Sequence, residues 1–115
     1  MSDLANLQQK IVEFRDQRNW KQFHNPKDLA ISLSLEAAEV LEHFQWKSPE
    51  EIAKHLTDNK DEVAEELADV LYWILLMAHD LDVDIIAASE QKMIKNDQKY
   101  PVHKASGNHK KYTEL

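Results

Sequence analysis

With one glycine in 115 residues, this chain has almost nowhere to place a left-handed turn, and no glycine-rich loop to cradle a phosphate. Its punctuation marks helix starts instead. Asn25-Pro26 reads as an N-cap followed by proline at the first helical position, with Asp28 favoured by the helix dipole. Ser48-Pro49-Glu50-Glu51 has the form of a capping box, Ser48 paired with Glu51. Thr57 or Asp58 offers a third cap, and the stretch Asp82-Val83-Asp84 a fourth. Apolar residues recur at helical spacing between these marks, as in Leu4, Leu7, Ile11 and Phe14. The expectation is an all-α, four-helix-bundle-like fold in one domain spanning 1–115. Helices are expected at about 3–19, 26–46, 59–80 and 83–98, with a short one at about 49–56 and an irregular tail over about 99–115.

The stretch ISLSLEAAEVLEHFQW, residues 31–46, is apolar on nearly every side yet carries Glu36 and Glu39. Three residues apart, the two share a helix face. The helix expected over 59–80 repeats the pattern with Glu62, Glu66 and Asp69 at spacings of four and three. No Lys or Arg lies between Lys27 and Lys47, and none follows Lys60 in the later helix. Carboxylates in apolar surroundings cost free energy, and neighbouring like charges add repulsion. A divalent cation resolves that conflict, and an all-oxygen donor set favours Mg²⁺ or Mn²⁺ over zinc. For any single glutamate a solvated helix face is the competing reading; Glu42, Glu50, Glu51 and Glu65 keep it. The apolar girth of these two helices points to a dimer or a dimer of dimers.

Composition narrows the setting. Fourteen basic against 21 acidic residues give −7, which argues against a general nucleic-acid partner. The absence of cysteine excludes a disulfide framework or a thiolate metal site. The longest apolar run, VLYWILLMA at 70–78, is too short to span a bilayer, so no membrane role is expected. The opening MSDLANLQQK has neither the basic nor the apolar stretch of a secretory signal, and a cytoplasmic location is expected. Six lysines against Asp97 alone make 91–112 locally basic, suited to a triphosphate or simply to a soluble tail.

LEAAE at 35–39, followed after 26 residues by ELAD at 66–69, resembles the paired acidic signature of the MazG-like all-α nucleoside triphosphate pyrophosphohydrolases. RDQRNWKQFHNPKDL (15–29), FQW (44–46), KMIKNDQKYP (92–101) and the closing KYTEL are similar to that family's dCTP-pyrophosphatase-like branch. The resemblance implies a magnesium-dependent enzyme that cleaves between the α and β phosphates and releases a monophosphate and pyrophosphate. It implies Glu36, Glu39, Glu66 and Asp69 as metal ligands, with Glu36 the first choice for general base. Trp20 and Trp46 correspond to aromatic walls for the base, and Lys92 and Asn96 to polar substrate contacts. His24 is either a substrate contact or a support for the loop entering the second helix. Leu35 replaces the first glutamate of the family doublet. Ile11 and Trp73 stand where cytosine-preferring members carry histidine and tyrosine. A phosphoribosyl-ATP pyrophosphatase-like enzyme and a non-catalytic metal-binding helical protein are the alternatives. A ferritin-like di-iron bundle is disfavoured because the residues three after Glu36 and Glu66 are Glu39 and Asp69, not histidine.

Overall fold

The caps read from the sequence are where the helices begin. In the structure, a computed structural model describing residues 2–115, Asn25 accepts a hydrogen bond from the Asp28 backbone N–H, and Pro26 opens its helix. Ser48 and Glu51 form both halves of the capping box, and Asp84 caps through the Ala87 N–H. The resulting elements are α1 (Asp3–Gln17), α2 (Pro26–Glu42), α3 (Pro49–Asp58), α4 (Lys60–Asp80), α5 (Ile85–Lys99) and the single turn α6 (Val102–Ala105). Short 3₁₀ turns occupy Lys21–Phe23 and Tyr112–Glu114. The fold class is all α, with no strand among the described residues.

Several boundaries differ from expectation. α1 stops at Gln17 rather than about 19, because Asn19 takes a left-handed conformation with φ 57°. α2 ends at Glu42, not 46; residues 43–46 turn away, and Trp46 has φ 68°. A bulky residue there is strained, which sequence periodicity does not reveal. α3 runs on to Asp58, past both proposed caps, and Asn59 serves as the junction to α4 without a side-chain cap bond. The tail is partly ordered: Tyr112 meets Tyr100 edge-on at 6.1 Å, and the Lys99 ammonium lies 4.8 Å from the Tyr112 ring centre. Gly107, with φ 72°, supplies the left-handed residue just beyond α6.

The chain forms two compact units, residues 1–82 and 83–115. In the first, α4 is the central element and packs on α1, α2 and α3. α2 runs antiparallel to α4: Pro26 and Leu29 lie beside His79 and Asp80, and Glu39 beside Glu66. Ile11, Leu29, Val63, Leu75, Leu76 and Ala78 are buried. Leu7 and Phe14 of the expected α1 stripe are only half covered, and Leu35, Leu41 and Leu67 are 61%, 59% and 55% exposed. Helices α2 and α4 are thus apolar on faces that a single chain leaves open.

The largest fully buried side chain is Arg15, which periodicity does not single out. It bonds Asp80 at 2.6 Å and Asp16 at 3.1 Å, tying α1 to the end of α4. Burial disfavours its charge, but the two carboxylates outweigh that and hold its pKa above the ordinary value. Removing one partner of a buried pair strands the other charge. Asp80→Ala is therefore expected to lose about 3–5 kcal/mol of unfolding free energy in urea titrations. A loss under about 1 kcal/mol would mean that Arg15 is satisfied without Asp80.

Candidate active site

Antiparallel packing of α2 on α4 sets the two acidic pairs face to face. Each pair is spaced by three residues, so each presents adjacent carboxylates on one helix face. Glu36, Glu39, Glu66 and Asp69 each offer an oxygen, and these four atoms all lie within 4.8 Å of one another. Glu62, on the same sequence pattern, is exposed and outside the group. The ion pairs among the described residues are Arg15–Asp16, Arg15–Asp80 and Lys54–Asp58; none reaches the four. The Oε2 atoms of Glu36 and Glu66 are buried with no hydrogen-bond partner.

Electrostatics follow from that crowding. The Glu36 carboxyl is held above the usual carboxylate range, first by burial and then by Glu39 and Asp69; the nearby Trp73 indole pulls weakly the other way. Glu66 is pushed up to about 7, chiefly by a hydrogen bond its protonated form shares with Glu39, then by burial and the surrounding charges. Such a group can bind a proton, or a cation in its place.

Two hollows flank the carboxylates. On one side Glu36 and Asp69 border a cavity of about 520 Å³ whose walls are Lys10, Ile11, Phe14, Trp20, Tyr72 and Trp73. Its aromatic rings interlock edge to face, Phe14 with Trp20 at 5.7 Å and Tyr72 with Trp73 at 5.1 Å. On the other side Glu39 and Glu66 border a smaller cavity of about 280 Å³ shared with Glu42, His43 and His55.

Of the residues singled out from sequence, the structure brings Trp20, Ile11 and Trp73 to the aromatic hollow beside Glu36 and Asp69. His24 stands behind that wall, its ring 5.5 Å from Trp73, and borders a different hollow with Leu29 and Asp80. Burial, helped by the Arg15 charge, lowers its pKa and keeps the ring neutral at pH 7. Trp46 is 91% exposed and does not border the aromatic hollow. Lys92 and Asn96 lie four apart on α5 in the second unit, Lys92 exposed and Asn96 half-buried. The sequence reading passed over Phe14 as ordinary core and overlooked Tyr72 and His43. Spacing held the signal: Tyr72 is three residues after Asp69, and His43 four after Glu39, each on the face of its acidic neighbour.

Known proteins share this sequence pattern and fold. The profile of the MazG-like family matches residues 31–115. dCTP pyrophosphatase 1 of Rattus norvegicus is 40% identical over 114 residues, covering 97% of this chain and 67% of that protein. The Homo sapiens protein of the same name is 37% identical with the same coverage. A crystal structure of a pyrophosphatase from Archaeoglobus fulgidus superposes with a TM-score of 0.81 at 43% identity, covering 88% of this chain and 94% of that one. A family profile over most of the chain and relatives along nearly all of it make this protein a member of the MazG-like family.

Proposed function

We propose that this chain is a Mg²⁺-dependent nucleoside triphosphate pyrophosphohydrolase that takes dCTP or related deoxynucleotides and clears the cytoplasmic nucleotide pool. The observation that carries the reading is the convergence of four carboxylate oxygens beside an aromatic hollow, in a fold shared with pyrophosphatases. The donor set fits the ion: it is all oxygen, lacks basic partners and has two buried unpartnered atoms. Four oxygens within 4.8 Å of one another are near enough for one ion to engage several of them. The relatives' names favour a deoxynucleotide over phosphoribosyl-ATP, and an enzyme over a binding protein.

A bound Mg²⁺ would offset phosphate charge and lower the pKa of water. Glu36, which borders the aromatic hollow, takes the proton of the attacking water at a carboxylate oxygen. The water oxygen bonds to the α-phosphorus, the bond to the α–β bridging oxygen breaks, and that oxygen leaves with pyrophosphate. Trp20 stacks on the base, and Trp73 and Phe14 complete the walls. His24 supports the wall through Trp73. Exposed Leu35, Leu41 and Leu67 support a dimer or a dimer of dimers. Trp46, strained and uncovered on its own chain, serves as a base wall where a second copy brings it to a site.

The deciding experiment incubates the protein with a panel of nucleotides and Mg²⁺ and separates the products. Monophosphate with pyrophosphate is expected; diphosphate with phosphate, or no turnover at all, refutes the reading.

Trp46→Ala should raise KM roughly tenfold for every nucleotide, since stacking tolerates any base. A change confined to one base, or none, would remove Trp46 from the site.

Glu66 supplies a pH test. Its folded pKa of about 7 exceeds the ordinary 4.5, so without metal its stabilising contribution is full below pH 4.5 and lost as pH rises through 7. Glu66→Gln stays neutral throughout. The Tm of the metal-free variant should exceed that of wild type by a margin that grows over this range. Mg²⁺ should then raise the Tm of wild type more than that of the variant. A margin flat with pH, together with equal responses to Mg²⁺, would show that Glu66 is not a ligand.

A further inference from the structure

The mechanism above leaves the smaller hollow unused. Its walls are Glu39, Glu42 and Glu66 together with His43 and His55, so only the two histidines offer side-chain nitrogens there. His43 Nδ1 lies 2.8 Å from His55 Nε2, and Asn59 Nδ2 lies 3.2 Å from His55 Nδ1. An amide nitrogen only donates, so His55 Nδ1 accepts, and a neutral His55 carries its proton on Nε2. That N–H donates to His43 Nδ1, which leaves the His43 proton on Nε2. Asn59, His55 and His43 thus form a one-way chain ending in a fixed N–H donor.

Glu39, Glu42 and Glu66 are acceptors in the same hollow, and where Glu39 and Glu66 hold a cation, a phosphate oxygen drawn to that cation competes for the N–H. The carboxylate layer separates the two hollows, Glu36 and Asp69 bordering the aromatic one and Glu39 and Glu66 the histidine one. A triphosphate with its base among the aromatic rings and its α-phosphate at the carboxylates extends its remaining phosphates to the histidine side.

We propose that His43 binds the pyrophosphate half of the substrate, its Nε2–H donating to a β- or γ-phosphate oxygen, with His55 and Asn59 as positioning residues. This rests on the pyrophosphohydrolase reading. A merely structural pair would clamp α3 to the end of α2 and touch neither product.

The test measures inhibition of dCTP hydrolysis, in Mg²⁺, by pyrophosphate and by dCMP separately. His43→Leu should raise the inhibition constant for pyrophosphate roughly tenfold, the worth of one hydrogen bond to a charged group, and leave that for dCMP within about twofold. His43→Gln, which restores an N–H donor, should recover most of the loss. In wild type, ¹⁵N NMR should show one histidine nitrogen shifting on addition of pyrophosphate with Mg²⁺ but not of dCMP, and His43→Gln should remove that signal. Loss of binding for both products or for neither, a Gln variant no better than Leu, or an unmoved histidine spectrum overturns the proposal. The spectrum decides alone if His43→Leu does not fold. Wild type that releases no pyrophosphate overturns the catalytic reading and this proposal together; wild type that releases it while His43→Leu binds it normally overturns only this one.

Discussion

Four carboxylate oxygens within 4.8 Å of one another, with no basic side chain among the described residues paired to them, set the central physical condition of this protein. Packing normally scatters like charges or pairs them. Here the helix repeat does the opposite, since two acidic residues three apart on each of two antiparallel helices must meet when the faces close. The metal-free state relieves the conflict only in part, by keeping a proton on Glu66 near neutral pH. A divalent cation relieves it more fully, because it bonds several oxygens at once and need not be shared between just two. The same condition would make the site chemically useful: a divalent cation held by some of these oxygens would keep coordination positions for phosphate oxygens and water.

Much of this was legible in the chain. Asn25, Ser48 and Asp84 announced helix starts because capping is local chemistry between residues two or three apart. The carboxylates were legible for the same reason, their spacing being a property of one helix at a time. What stayed hidden depends on partners distant in sequence. Arg15 looks like any surface arginine until Asp80, 65 residues later, closes over it. Trp46 reads as one more apolar helical residue, and only the backbone shows the helix ending at Glu42. Apolar content likewise misled about burial: a run such as Ile31, Leu35 and Leu41 marks a face that seeks cover without saying which molecule supplies it.

Under the proposed function, the aromatic hollow would let base and phosphate be recognised by different physics. Ile11, Phe14, Trp20 and Trp73 present surface and shape, which distinguish flat rings weakly. The polar groups at its walls are those of Lys10, Tyr72, the two carboxylates and the indole N–H groups of Trp20 and Trp73. Discrimination among bases calls for buried donors and acceptors that a wrong base leaves unpaired. Ile11 contributes no such penalty, whereas under the proposed function the carboxylates would impose a strict demand on the phosphate end.

Repulsion at the middle of α2 and α4 would be relieved most cheaply by letting the helices splay, so their ends matter as much as the acids. At one end Leu29 of α2 is buried beside His79 and Asp80 at the close of α4, and Arg15 ties that same Asp80 to α1. At the other, the 2.8 Å contact between His43 and His55 links the residue after α2 to α3, and Asn59 extends that link to the start of α4. A helix pair fixed at both ends cannot separate in the middle without bending, which costs its backbone hydrogen bonds. The carboxylates are therefore held at a spacing they would not choose, and that spacing suits an ion. Stability contributed by a buried ion pair, leucine packing and a histidine contact is in this way converted into a preformed site, in keeping with the general tendency of functional centres to be locally unfavourable and supported from outside.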